Sequence, residues 1–204
     1  MKKLTIAFFA LTVFIATRVQ AQDDPTRAAF SSSYAFERKA DYADAVAQLK
    51  KVYDEKSYEI NLRLGWLQYE AGLYTESMSY YEKAIELMPY AIEPRLGFVL
   101  PSAATGDLDK ATTQYNKILE IDPKNTTANY RLGLIAYGKK DYKAAYNYFE
   151  LVVNLYPFEY SSLLMLAWTD FQLNDFANAK ILFNKVLLYS PTDTSALDGL
   201  SKIK

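Results

Sequence analysis

The stretch YEKAIELMP, residues 81–89, ends in a proline after apolar side chains spaced like one face of a helix. Three relatives follow it: YNKILEIDP at 115–123, FELVVNLYP at 149–157 and FNKVLLYSP at 183–191. The prolines Pro89, Pro123, Pro157 and Pro191 recur at one constant interval. A constant interval in the range of about 20–50 residues marks units that stack on one another rather than a single closed core.

Counting back from each proline gives the unit's internal pattern. Twelve residues earlier stand the small Ser77, Ala111, Ala145 and Ala179. Three before those stand Tyr74, Leu108, Tyr142 and Phe176. Tyr81, Tyr115, Phe149 and Phe183 come eight before the proline, and Ala84, Ile118, Val152 and Val186 five before it. Spacings of three and four place all of these on one stripe of an α-helix. The proline cannot continue that helix and marks its end. Asp107, Asp141 and Asp175 stand just ahead of the stripe, as caps for the first-turn N–H groups, and Asp41 does the same earlier in the chain. Gly72, Gly106 and Asn174 precede them, where a left-handed residue closes the helix before. A second helix therefore lies upstream of each stripe. It carries Leu64-Gly65, Leu132-Gly133 and Leu166-Ala167 in one common slot.

This helix–turn–helix unit resembles the tetratricopeptide repeat, a unit of about 34 residues with W-x2-L-G-x2-Y, then A-x3-F, then P. The L-G half is Leu64-Gly65 and Leu132-Gly133; the A-x3-F half is Ser77/Tyr81, Ala111/Tyr115, Ala145/Phe149 and Ala179/Phe183. A weaker copy, ADYADAVAQLKKVYDEKS, occupies residues 40–57 without its proline. The reading is five repeats, at about 26–57, 58–91, 92–125, 126–159 and 160–193, with a capping helix over 194–204 whose apolar side carries Leu197, Leu200 and Ile203. The expected fold is all-α, a right-handed superhelical solenoid. The third repeat departs from the pattern. Its Leu96-Gly97 sits two residues ahead of the common slot, and Pro101 falls inside its first helix. The reading there is a tolerated kink, with a local opening of the groove as the alternative.

The resemblance implies that the first helix of each repeat lines a concave face that binds an extended peptide or a partner's helix, through the second, fifth, ninth and twelfth positions. Positions five, nine and twelve read Phe30, Tyr34 and Glu37; Leu62, Trp66 and Tyr69; Leu96, Leu100 and Ala103; Tyr130, Leu134 and Tyr137; and Leu164, Trp168 and Phe171. Neither tryptophan stands at position four, the consensus place. The candidate groove is Leu62, Trp66, Tyr69, Tyr130, Leu134, Tyr137, Leu164, Trp168 and Phe171; packing of each first helix on the next is the competing role for these rings. Arg63 and Arg131 share position six, as candidate partners for a ligand carboxylate or as solvated surface charge. The family's carboxylate clamp of Lys, Asn and Arg is missing, because Leu62, Trp66, Tyr130 and Leu134 occupy its places.

Composition narrows the function. The chain has 204 residues, 23 basic and 24 acidic, with no cysteine and no histidine. That excludes disulfides, thiolate chemistry, Cys/His zinc sites and histidine-based triads. No phosphate-binding glycine loop and no basic block is present, so neither a nucleotide cofactor nor a nucleic-acid partner is expected. No carboxylate pair is poised for acid–base work, and Asn125-Thr126-Thr127 reads as an incidental sequon. The expectation is a non-enzyme without cofactor or metal.

The first residues read as a secretory leader: Lys2 and Lys3, an apolar run Leu4–Thr17, and Val19 and Ala21 at the −3 and −1 places of a cleavage site. The run is short of the ~20 residues that span a bilayer. Cleavage after Ala21 removes three basic residues and no acid, leaving 20 basic against 24 acidic residues and a net charge of −4. An uncleaved anchor is the alternative, which Arg18 near the cut favours. The localisation expected is periplasmic or extracellular. The function expected is a scaffold that binds a protein or peptide partner in the cell envelope. Glycan binding by aromatic stacking and self-assembly into a homo-oligomer are the rivals.

Overall fold

The computed structural model describes residues 24–203, so the proposed leader lies outside the described residues. The described chain is helical throughout, in the order α1 (Pro25–Glu37), α2 (Tyr42–Lys50), α3 (Tyr58–Glu70), α4 (Tyr74–Leu87), α5 (Glu93–Ala104), α6 (Leu108–Ile121), α7 (Thr126–Gly138), α8 (Tyr142–Leu155), α9 (Tyr160–Gln172), α10 (Phe176–Tyr189) and α11 (Thr194–Lys202). Helices pair as α1/α2, α3/α4, α5/α6, α7/α8 and α9/α10, and each pair packs on the next. The result is a superhelical solenoid of helix pairs that α11 closes.

The turns follow the chemistry of their residues. The residue ahead of each second helix's cap has positive φ in all five pairs: Ala40 (56°), Gly72 (75°), Gly106 (79°), Lys140 (63°) and Asn174 (63°). The next residue caps the helix. Asp41, Asp107, Asp141 and Asp175 each accept a bond from a backbone N–H three residues on, whereas Leu73 supplies no such bond.

Packing explains the glycines. Tyr81, Phe149 and Phe183 are at most 2 % exposed. A Cβ on Gly65 or Gly133 would fall under 3.0 Å from the ring of its own hairpin, Tyr81 or Phe149 respectively. A Cβ on Gly97 would meet Tyr81 at 2.2 Å, and one on Gly199 would meet Phe183 at 2.3 Å. The Tyr81 ring thus presses on two helices, its own partner α3 and the first helix of the following unit. Leu96-Gly97 is therefore no displaced copy of Leu64-Gly65. Gly97 fills a different slot, created by the Tyr81 ring of the repeat before it. Among the small residues, Ser77 is fully buried and donates from Oγ to the Gly65 carbonyl at 2.7 Å.

Position four, where a tryptophan would be usual, carries Asn61, Arg95 and Asn129 in three repeats. Their side chains donate to carbonyls of the preceding turn: Asn61 to Glu55, Arg95 to Pro89 and Asn129 to Pro123. The polar substitutes hold each turn by hydrogen bonds instead of ring packing.

Helix α5 runs unbroken through Pro101 to Ala104. Among the first helices, α3 packs on α5, α7 on α9 and α9 on α11, but α5 and α7 share at most a marginal contact. Helix α11 buries Ala196 and Gly199, with Leu200 and Ile203 against the C-terminal core. Leu197 points away, 47 % exposed, which corrects its expected place on the apolar side.

Candidate functional site

Helices α1, α3 and α5 enclose an open groove of about 630 Å³. Its apolar wall comes from Phe30, Tyr34, Leu62, Trp66, Leu96 and Leu100, and Tyr81 and Gly97 form its floor. The floor exists because Gly97 has no side chain and the buried Tyr81 ring lies flush against it. Burial pushes the Tyr81 phenol well above its ordinary range, with the negative charge of Glu93 adding to the effect.

The electrostatics of the wall are settled locally. Arg63 forms a two-pronged ion pair with Glu37 of α1. Its guanidinium lies 4.1 Å from the centre of the Tyr34 ring. Trp66 Nε1–H donates to Glu37 Oε1 at 2.6 Å. Glu37 is held below the usual carboxylate range, first by its bond from Arg63, with burial opposing and Trp66 assisting. Arg63 is thus neither solvated surface charge nor a free hook for a ligand carboxylate; its side chain is only 12 % exposed. At the groove mouth Glu59 and Glu93, both exposed, pair with no cation among the described residues. The Tyr58 hydroxyl donates to Glu93 at 3.3 Å. Burial and the charge of Glu93 push the Tyr58 phenol up to about 12.

The other candidate residues lie elsewhere. Tyr130 and Arg131 line a shallower pocket of about 360 Å³ between α7, α8 and α9, with Arg131 exposed. Tyr69, Tyr137 and Phe171 each face the first ring of the following helix: Tyr74 at 5.9 Å, Tyr142 at 5.3 Å and Phe176 at 5.4 Å between centroids. These rings brace the hairpin turn. Leu134 and Leu164 pack against the C-terminal core. Trp168 is covered by the cap: its Nε1–H donates to Ser195 Oγ at 2.9 Å, Lys202 sits over its ring, and Phe183 meets it edge-on at 5.0 Å. The structure therefore brings Leu62, Arg63 and Trp66 into one groove and distributes the rest into packing or a second pocket. Tyr58, Glu59, Tyr81, Glu93 and Gly97 also belong to that groove. The signal for the two acids was present, since Glu59 and Glu93 both stand at position two of adjacent repeats.

No described helix is long and apolar enough to cross a membrane. No group of three or more potential metal-binding His, Cys, Asp or Glu residues occurs among the described residues.

Comparison with known proteins agrees with this architecture. A model of the tetratricopeptide repeat matches residues 16–92 and 103–160, and a second such model matches 160–193. The chain is 27% identical over 135 residues to Protein CTR9 homolog of Arabidopsis thaliana, covering 63% of this chain but 12% of that protein's length. A tetratricopeptide repeat protein from Parabacteroides merdae superposes with a TM-score of 0.75 at 21% identity, over 88% of this chain and 72% of that one. YrrB, a TPR protein with an unusual peptide-binding site, superposes with a TM-score of 0.69 at 14% identity, over 86% of this chain and 92% of its own. The likenesses to solved structures show a shared fold, and the repeat models cover more than half of the sequence: the chain belongs to the tetratricopeptide-repeat family.

Proposed function

We propose that this protein is a non-catalytic scaffold of the cell envelope that holds an extended segment of a partner protein in the groove of α1, α3 and α5. The observation that carries the reading is the groove itself. It is apolar, open and ligand-sized, and no side chain of the described chain fills it. Trp66, Leu62 and Leu100 offer the aromatic and aliphatic contacts on which interfaces depend. The leader-like start of the sequence supports export. The description of YrrB as a protein of this fold with a peptide-binding site is in keeping with it.

The test is affinity capture from source cells with the tagged chain, beside two variants. Leu100→Glu puts a charge on the groove wall at a side chain already 38 % exposed. Lys117→Glu alters an exposed position of α6, a helix that contributes no residue to the groove lining. A partner captured by the wild type and the Lys117 variant and lost with Leu100→Glu is the expected result. Equal capture by all three overturns the groove as the docking site.

Self-association is a second reading, favoured by one feature. Tyr156, Phe158, Leu188 and Tyr189 are all more than half exposed, and the Phe158 and Tyr189 rings lie 5.5 Å apart. Exposed apolar clusters of this kind mark contact surfaces. Light scattering over a hundredfold concentration range should then show rising mass, and Phe158→Ser should abolish the rise. A constant mass rules this reading out.

A further inference from the structure

We infer that the groove of α1, α3 and α5 selects a peptide segment carrying a lysine or arginine beside a bulky apolar side chain. The inference rests on the groove reading above and adds the chemistry of the occupant.

Two features argue for that occupant together. The wall is apolar and aromatic, so it rewards burial of a large side chain. The mouth is negative. Glu59 and Glu93 stand at the same position of adjacent repeats, both line the groove and both are exposed. Arg63 is the one cation among the lining residues, and Glu37 already neutralises it. Two negative charges therefore face any ligand without compensation. Glu59 accepts one bond from Ser57 Oγ and Glu93 one from Tyr58, which leaves lone pairs on both carboxylates for a ligand cation. An aromatic wall adds attraction for a cation that an anion would lack. A ligand carboxylate would meet these two acids, while the wall's one cation is already paired with Glu37, and a purely apolar segment would leave the two glutamates unanswered.

The experiment is calorimetric titration of the full chain with three blocked ten-residue peptides. Each has a central Leu-Phe pair, flanked on both sides by lysine, by serine or by glutamate. The lysine peptide should bind about tenfold more tightly than the serine peptide, the value of two partly exposed charge pairs. The glutamate peptide should be the weakest. A Glu59→Gln, Glu93→Gln double variant should lose that advantage, and raised salt should shrink it. Both substitutions fall on exposed side chains, and an unchanged circular dichroism melt verifies folding. Equal affinities for the three peptides overturn the charge inference, as does a lysine preference that survives the double substitution. In those cases the groove reading stands if Leu100→Glu still abolishes binding. Failure of all three peptides to bind overturns the inference. The cellular capture with Leu100→Glu then decides separately whether the groove reading falls with it.

Discussion

The first three repeats and the last two are built on one plan, yet they treat the inner face in opposite ways. In the N-terminal part Trp66 is drawn sideways to Glu37 and leaves an open groove beside it. In the C-terminal part the matching Trp168 is folded under α11, against Phe183, Ser195 and Lys202. The same residue at the same position lines a site in one place and completes a core in the other. Two neighbours decide which. Glu37 gives the Trp66 indole N–H a partner at the groove edge. Beyond Trp168 the corresponding glycine, Gly199, likewise lies on the preceding ring, but its short helix α11 brings Ser195 and Lys202 onto the indole and covers it. A shared plan sets where the backbone goes, while single side chains set whether a face stays open.

The sharpest way to break this contrast is Gly97→Ala. The added methyl would lie 2.2 Å from a Tyr81 ring already pressed by Gly65, so the ring cannot retreat. Overpacking at such a site costs about 3 kcal/mol. Denaturant melts should show that loss. The equivalent change at Gly199 strikes Phe183 from a terminal helix that can lift away, and should cost visibly less. Equal losses at the two glycines would mean that the floor of the groove is no more constrained than the cap.

Glu37→Ala comes next. It strands a guanidinium that is only 12 % exposed and removes the acceptor of Trp66. A loss of about 2 kcal/mol is expected, because the partner is left half-buried and unpaired. Trp66 emission should shift, while contacts of Trp168 stay as they are. A neutral result would show that the ion pair is no more than surface charge.

The repeat plan was legible in the sequence because it rests on local chemistry. Prolines end helices, aspartates cap them, and small residues alternate with rings at helical spacing. Those signals recur once per repeat and reinforce one another. Membership of the groove was less legible because it depends on contacts between units. Leu62 and Trp66 could be placed by position alone. Whether Tyr69, Tyr137 and Phe171 faced a ligand could not, since their partners Tyr74, Tyr142 and Phe176 lie across a turn whose geometry brings the rings together. The pairing of Arg63 with Glu37 spans 26 residues and two repeats, a register that no spacing rule encodes. The floor made by Gly97 was misplaced for a related reason: its slot is defined by the ring of the previous repeat.

A smaller difference between the two regions is electrostatic. The C-terminal part buries Asp170, 3 % exposed, and desolvation raises its pKa to about 6, with Asp175 and Glu150 adding repulsion. A carboxyl whose folded pKa lies above its unfolded value of 3.8 binds protons more readily in the native state. Stability contributed by this group therefore falls as pH rises between about 4 and 6, and stays low above that window. Lowering the pH from 7 to 5 should stabilise the chain by about 1 kcal/mol through this group. Asp170→Asn should raise stability at pH 7 and remove that part of the slope. A slope unchanged in the variant would assign it to other acids.

The smallest effects sit in the turns, where each region carries a different departure from the common plan. The N-terminal part has Leu73 where the other four hairpins have a capping aspartate. Leu73→Asp adds a missing acceptor at an exposed position and should stabilise by about 1 kcal/mol. The C-terminal part has Lys140 at φ 63°, in the slot that Gly72 and Gly106 fill elsewhere. An L-residue there is strained by the approach of Cβ to the following carbonyl, and glycine relieves that strain. The relief is partly offset by the greater freedom of glycine in the unfolded chain. Lys140→Gly should therefore gain only about 0.5 kcal/mol, read as a small rise in thermal midpoint. A larger gain would mean that the turn holds α7 and α8 under strain beyond its own φ. A loss would mean that the lysine side chain makes a contact worth more than the backbone relief, and the five turns would then be alike in geometry but not in energetics.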